Sequence, residues 1–533
     1  MKTALSKRQQ IGLLFFLTIL LVIVSARVEL LHSLAFIAFL PLAFMLPKLN
    51  IKQALGLTTL CATLFWMGTS YWLVGANISF ANSAFFAVAL VFVLFCLWQA
   101  LPYTLLVWAY SYFDWKNHAL GPFYAAAALT LAWVILPSPL PWLPINSLYV
   151  YPKFVAVLDL SGISLLLFLS TLFCFSLEYS CRKTAPYKKA YIALLVIIPI
   201  AMLAYGQLRQ AQLDAAKVQA ETAQWLRIGY IQPSLKYEET FDRAYVVTEQ
   251  LIQKDAPDLI VWPEIASPYS FIESYADRSN TLNLVKKYQQ DLITVSGYVY
   301  SEPRVHGQPR HYYNQAQLIK DGRMQGQYSK EILVPFFEYL PKPLSFLRQW
   351  MPRVLYYQAG ENQQPLSYRE NITLIMAICY EVIFPEYIRK QVKQGGNLLI
   401  NPSSDAAFGG GIGGYYHLAT AYFRSIENRV PWVRATNTGI SIIVDADGKP
   451  LTPASENHAI SSNSAHVYIP TQTSFYSQTG DWFSKILIVL STIFLVMNRK
   501  KLLRHTEKAY APNLKQKTKT SAKKKRARKK KGK

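Results

Sequence analysis

Eight long apolar runs constrain this chain before anything else does. Seven lie at 11–26, 30–46, 55–76, 84–110, 119–136, 158–177 and 190–205, and the eighth at 482–497. A helix that spans a bilayer needs about 20 mostly apolar residues, so the shortest runs reach that length only with their interfacial flanks. Such runs in succession predict a multi-span α-helical membrane domain of about eight helices, seven of them within residues 1–206. The hydrophobic share is 52%, yet mean hydropathy is only +0.15. A polar half must therefore balance the apolar one.

Loop charges orient the runs, because short cytoplasmic loops carry the excess of Lys and Arg. With Lys2, Lys7 and Arg8 inside, the alternate loops hold Lys48 and Lys52, then Lys116, then Arg182, Lys183, Lys188 and Lys189. The opposite loops are nearly bare of cations. Seven spans put the following polar region outside the cytoplasm, and the eighth returns the C-terminus. Val24, Ser25 and Ala26 also read as a signal-peptidase site, whose use would leave the orientation of the rest unchanged. Of the net charge of +24, sixteen units sit in residues 499–533, where seventeen Lys and Arg face one acid, Glu507. That basic cytoplasmic tail is too poor in apolar residues to fold. Anionic lipid headgroups are its favoured partner; nucleic acid is the less favoured one, since no RNA-binding module accompanies the run.

Residues 227–470 change character. Apolar strand-like runs at 227–231, 259–262, 292–297, 316–319, 374–378, 398–400 and 440–444 alternate with helix-compatible stretches at 243–254, 281–290, 386–394 and 417–428. This pattern predicts a layered α/β domain. It contains no Gly-rich phosphate loop and no His or Cys cluster with metal spacing, so neither a nucleotide cofactor nor a metal is expected.

Three polar residues stand at or near the ends of predicted strands. Asp258-Leu-Ile-Val-Trp-Pro-Glu264 is an apolar run broken by proline and ended by a carboxylate. Thr373-Leu-Ile-Met-Ala-Ile-Cys379 runs into the one external cysteine. Between them, Lys330 and Glu338 lie eight residues apart around Pro335. A thiol is a weak nucleophile until a base takes its proton, a carboxylate in a low-dielectric site can be that base, and an ammonium can stabilise an oxyanion. Singly, Glu264 reads as a surface carboxylate, Lys330 as a solvated cation, and Cys379 as either core or nucleophile. Spacing along the chain does not bring them together.

Trp262-Pro263-Glu264, Lys330 with Leu333-Val334-Pro335-Phe336 and Glu338, Ile378-Cys379-Tyr380-Glu381, and Arg434-Ala435-Thr436-Asn437 resemble, in order, motifs of the nitrilase superfamily. With the apolar half, the chain resembles the membrane-bound apolipoprotein N-acyltransferase family. The resemblance implies an αββα sandwich on the periplasmic face of a bacterial inner membrane, with Glu264, Lys330 and Cys379 as catalytic residues. It further implies an acyl chain taken from a phospholipid and passed, through a thioester on Cys379, to the N-terminal amine of a lipoprotein. Glu338, Tyr380, Glu381 and Tyr237 are then supporting or substrate-binding residues, Glu381 reading equally as a structural hydrogen-bond partner.

The sequence departs from the family pattern in places. Phe337 replaces a glycine and is expected to narrow the approach to Lys330 or shift the backbone there. Tyr237 replaces a tryptophan, and Ser404 and Ala407 replace an asparagine and a tryptophan. Glycines at 409–411 and 413–414, followed by Tyr415 and Tyr416, read as a surface loop, with a lid as the sharper alternative. Two other functions remain open: the same thioester chemistry with another amine or water as acceptor, and a non-catalytic membrane scaffold whose tail holds nucleic acid.

Overall fold

The structure, a computed structural model, describes residues 12, 29–79, 83–234, 240–266, 274–300, 312–352, 354, 357–409 and 411–497. The first apolar run (Gly12 apart), Tyr237 and the basic tail beyond residue 497 lie outside them. Met1–Asp481 and Trp482–Lys533 are two compact units, the second contributing the helix Trp482–Met497.

Among the described residues three helices are long and apolar enough to cross a membrane: Phe85–Tyr112, Ile163–Ser180 and Lys188–Gln219. Leu31–Ile37 and Leu40–Lys48, bent by 42°, make a fourth if they count as one span. Several runs expected as single spans are interrupted or short. The run at 55–76 divides at Tyr71 into Ile51–Ser70 and Trp72–Ser79. The run at 158–177 is broken by Gly162, whose φ of +71° suits glycine and whose missing Cβ leaves room for the Tyr476 ring. The run at 119–136 yields the 15-residue helix Gly121–Ile135. Lys188–Gln219 instead outlasts its apolar run by four turns, passing so close to Lys153 that a Cβ on Gly206 would lie 1.9 Å from that residue's carbonyl oxygen.

Two sheets follow. The first comprises β1 (Trp225–Gln232), β2 (Leu259–Val261), β3 (Asp291–Tyr300), β4 (Tyr312–Lys320), β5 (Arg323–Ser329) and β11 (Ser461–Tyr468), in the order β11-β1-β2-β3-β4-β5. The second comprises β6 (Leu366–Arg369), β7 (Ile372–Met376), β8 (Leu398–Ser403), β9 (Trp432–Thr436) and β10 (Ile442–Val444), in the order β10-β9-β8-β7-β6. β1-β2-β3 and β7-β8-β9 are parallel, and the outer strands of both sheets pair antiparallel.

Alternation along the strands builds the layers. Ile228, Tyr230, Leu259, Val261, Ile293 and Val295 point into a core shared with Leu374, Met376, Leu399 and Val433 of the second sheet. Their neighbours Ile231, Ile260, Trp262 and Leu292 point the other way and pack on Val247 and Leu251 of helix Thr240–Asp255 and Val285 of helix Tyr275–Tyr288. Strands buried on both faces explain why their sequences read as unbroken apolar runs. Helices Pro385–Lys393 and Ile412–Asn428 pack on the second sheet through Ile388, Val392 and Leu418, completing a helix–sheet–sheet–helix stack.

The loop read through Gly413, Gly414, Tyr415 and Tyr416 is corrected: these residues open the helix Ile412–Asn428. Glycine disfavours helices, which is why the sequence pointed elsewhere. Here it is needed for close approach, since a Cβ on Gly413 would lie 2.6 Å from the Phe408 ring and 2.7 Å from Trp72 Nε1. Tyr416 is buried and stacks on Trp142.

Candidate active site

Glu264, Lys330 and Cys379 each follow a strand. Pro263 ends the hydrogen-bonding run of β2, and Glu264 comes next; Lys330 directly follows β5; Cys379 lies three residues past β7. The first two come from one sheet and the third from the other, so only the stacking of the sheets brings them together.

Lys330 is the centre of the cluster. It is 1% exposed, and its Nζ donates to Glu338 Oε1 at 2.8 Å and to Glu264 Oε1 at 3.4 Å. Asn314 of β4, which sequence reasoning missed, spans the same two acids with Nδ2, at 2.7 Å from Glu264 and 3.4 Å from Glu338. Glu338 also accepts from the Val334 N–H at 2.7 Å, fixing the turn that carries it. Burial works against the ammonium, but the two carboxylates outweigh it and hold Lys330 above the ordinary lysine range. A lysine so paired stays charged.

Three residues in these segments are left-handed: Ile265 (φ 56°) next to Glu264, Phe336 (φ 65°) in the turn that carries Glu338, and Cys379 itself (φ 51°). Each costs on the order of 1–2 kcal/mol outside glycine, and a β-branched residue such as Ile265 is a rare occupant of that region. Phe337, expected to disturb the backbone, is not among them; its neighbour Phe336 takes the unusual angle, and Phe337 lines the cavity described below.

Hydrogen bonds from two buried side chains hold the Cys379 peptide. His417 Nε2 lies 3.1 Å from the Cys379 carbonyl oxygen, and Asn401 Nδ2 lies 3.5 Å from it. Arg434 organises both, donating Nη1 to Asn401 Oδ1 at 2.6 Å and Nη2 toward His417 Nδ1 at 3.1 Å. A carbonyl only accepts, so Nε2 carries a proton, while Nδ1 lies between the donor Arg434 Nη2 and the acceptor Asp405 Oδ1, 3.3 Å away. Burial and then the adjacent Arg434 lower the His417 pKa, with Asp405 opposing them. Asp405 holds Arg434 through both carboxylate oxygens at 2.8 and 2.7 Å; burial opposes its charge, but Arg434 outweighs burial and keeps the carboxyl well below its usual range. Of these residues, only Arg434 stood in a quoted motif. Single polar residues in apolar strands were the available signal.

Glu381 is wholly buried and ties the segments together. Oε1 accepts from Tyr328 OH and the Glu331 N–H at 2.7 Å and from the Ile332 N–H at 3.1 Å, while Oε2 accepts from the Ile378 N–H at 2.7 Å. It therefore fastens the segment after Lys330 to the residue before Cys379. Burial pushes its carboxyl up to about 7, with Lys330 and the donors pulling back. Tyr380 donates its hydroxyl to the Pro139 carbonyl. Tyr237 lies outside the described residues.

Cys379 opens onto a cavity of about 260 Å³ that also exposes Glu264, Lys330 and Glu338. Its far wall is apolar: Val88, Val91, Phe92 and Phe95 of helix Phe85–Tyr112, with Trp72 and Trp142. Burial pushes the Cys379 thiol up to about 12; Glu264 adds to the rise and Lys330 opposes it. The resting sulfur is thus protonated, and a nearby base has to act during attack. Alkylation of Cys379 by iodoacetamide is expected to rise about tenfold per pH unit from pH 7 to 10, with no plateau near the ordinary thiol value of about 8.5. Peptide mass spectrometry of quenched samples checks this; a plateau below pH 9 would contradict it. Among the described residues no group of His, Cys, Asp or Glu could hold a metal.

Residues 208–462 match the carbon-nitrogen hydrolase family. The chain is 30% identical over 361 residues to an apolipoprotein N-acyltransferase of Geobacter metallireducens, covering 64% of this chain and 66% of that one. An apolipoprotein N-acyltransferase of Haemophilus influenzae is 32% identical over 337 residues, 59% of this chain and 62% of its own length. The chain thus spans just under two thirds of these curated relatives. Among solved structures, a carbon-nitrogen hydrolase from Helicobacter pylori aligns at 19% identity over 46% of this chain and 89% of its own, with a TM-score of 0.35. The domain matched by the family model takes in all three strand-end residues and the strands that carry them.

Proposed function

We propose that this chain is a multi-span protein of the bacterial cytoplasmic membrane. It transfers a fatty acyl chain from a phospholipid, through a thioester on Cys379, to the α-amine of the N-terminal diacylglyceryl-cysteine of apolipoproteins. The observation that carries this reading is the cavity, where a cysteine beside a buried Glu–Lys pair faces the side chains of an apolar helix of 28 residues. That helix and Lys188–Gln219 also present exposed apolar side chains, among them Leu90, Leu94, Ile197 and Ile200. Such patches suit lipid rather than water.

In this reading about eight helices span the bilayer, seven within residues 1–206 and the eighth at 482–497. Residues 227–470 form the periplasmic catalytic domain, and the tail at 499–533 lies in the cytoplasm against anionic headgroups. Glu264 takes the proton of Cys379 as Sγ attacks the ester carbonyl carbon. Lys330 stabilises the oxyanion, and the C–O bond breaks. The proton passes from Glu264 to the leaving lysophospholipid oxygen, and an acyl thioester remains. The acceptor amine then attacks the thioester, its proton moves to Glu264, and the C–S bond breaks to return the thiol. Glu338 keeps Lys330 in place, Glu381 positions the Lys330 and Cys379 segments, and Tyr380 and Tyr237 contact substrate. Acyl exchange between oxygen, sulfur and nitrogen needs no cofactor, and a membrane site raises the effective concentration of both lipid partners.

Intact-mass analysis after incubation with phospholipid tests the chemistry. The protein is expected to gain one acyl chain, and Cys379→Ser to gain none. A gain in Cys379→Ser, or none in the unmodified chain, would overturn the reading. A different acceptor is favoured by one observation: Phe337, Ser404 and Ala407, which depart from the family pattern, all line the same cavity. Depletion of the protein is expected to leave lipoprotein N-termini diacylated in peptide mass spectra; unchanged triacylation would move the assignment to another amine or to water.

A further inference from the structure

A second cavity, of about 780 Å³, lies between the polar half of helix Lys188–Gln219 and the catalytic domain. Its charged lining is Lys153, Arg209, Arg429 and Lys449 against Asp159 and Asp447, an excess of two positive charges. Asp159 sits at its base, 2% exposed, and is saturated. Tyr205 OH donates to Oδ1 at 2.5 Å. Arg209 Nε, at 3.1 Å, and Arg429, through Nε at 2.7 Å and Nη2, all donate to Oδ2. One carboxylate therefore faces two guanidiniums. Arg209 Nη1 is used by Gln212. Arg209 Nη2 and Arg429 Nη1 have no protein partner among the described residues, and Lys153 Nζ has only the neutral Gln207 at 3.2 Å. Arg429 takes a left-handed conformation (φ 55°) as the C-terminal cap of helix Ile412–Asn428.

The height of the cavity is fixed by the helix. Exposed apolar residues run along it from Ile192 through Val196, Ile200 and Leu203 to Leu208, and the next residue is Arg209. Tyr205 stands where aromatic residues mark a membrane interface. If the apolar stretch lies in hydrocarbon, unpaired guanidinium N–H groups open at headgroup level, and such forks suit phosphate oxygens.

We infer that this cavity binds the phosphate of a phospholipid headgroup from the outer leaflet, at a site separate from Cys379, with Arg209 and Arg429 as phosphate donors and Lys153 at the rim. The inference rests on the membrane reading above, but not on the acyl transfer. The headgroup balances the surplus charge.

The test is calorimetric titration of the detergent-solubilised full chain with dihexanoylphosphatidylglycerol, with sn-glycerol 3-phosphate and with inorganic phosphate. Saturable binding of the short-chain lipid is expected, at least tenfold tighter than either water-soluble phosphate. Arg209→Gln/Arg429→Gln is expected to weaken it at least tenfold. Those changes strip Asp159 of its cations, so two further variants guard against misfolding: the same pair with Asp159→Asn, and Lys153→Gln/Lys449→Gln, which leaves the Asp159 cluster intact. Unchanged lipid affinity in all three would overturn the site. Equal affinity for glycerol phosphate and lipid would overturn the lipid as its ligand. Carbonate extraction of cell membranes separates the two readings. A chain released by carbonate fails as a membrane protein, whereas one retained but indifferent to these substitutions fails only here.

Discussion

Glu264→Gln is expected to slow acylation of Cys379 by between about a hundredfold and ten-thousandfold, the usual worth of a positioned general base, while leaving the fold intact. The amide can still accept from Asn314 Nδ2, which lies 2.7 Å from Glu264 Oε1, and from Lys330 Nζ, so no buried donor loses its partner. What disappears is the ability to hold a proton. With burial pushing the Cys379 thiol up to about 12, little thiolate forms near neutral pH without help. Single-turnover mass spectrometry, timing the appearance of the acyl adduct, reads the effect. Acylation at the unmodified rate would show that another group is the base. A large drop in thermal midpoint would show that Glu264 serves the fold instead.

Lys330→Met is expected to do damage of two kinds. The ammonium lies between Glu338 at 2.8 Å and Glu264 at 3.4 Å, and all three side chains are buried. A near-isosteric apolar replacement leaves two carboxylates with only the Asn314 side chain bridging them. Removing one partner from a buried ionic cluster typically costs about 3–5 kcal/mol, and the thermal midpoint should fall accordingly. Acylation should fall as well, by about a hundredfold to a thousandfold, as when an oxyanion donor is lost. A stable, fully active Lys330→Met chain would remove lysine from the centre.

What could be read in the sequence follows from where the physics is local. Strands β2, β7 and β8 announced themselves because both faces are buried and the runs at 259–262, 374–378 and 398–400 are apolar throughout. Four strands were missed. β5, β6 and β11 are sheet edges, where polar sequences such as Arg-Met-Gln-Gly-Gln-Tyr-Ser are tolerated. β9 is central but carries the buried Arg434, a charge that no strand pattern anticipates and that Asp405 makes bearable. The start of helix Ile412–Asn428 was read as a loop because glycine signals a break, whereas here two aromatic rings demand it.

By itself the sequence determined that a polar α/β domain follows a series of apolar runs. It also determined that a carboxylate and a thiol end apolar runs, with a lysine between them in chain order, and that these segments resemble motifs of a known superfamily. The runs are a matter of composition and periodicity and the resemblance one of local motif, and a chain carries both before it folds. Tertiary structure alone decided that Lys330 touches Glu264 and Glu338, that Asn314 bridges the two acids, and that Arg434 steadies the Cys379 peptide through His417 and Asn401. It alone decided how much of each apolar run is continuous helix, because breaks such as Gly162 answer to a ring from a distant segment. Glu264 and Lys330, 66 residues apart, meet through the strand order of one sheet, and Cys379 joins them only when the second sheet stacks on it; no local signal along the chain encodes either event.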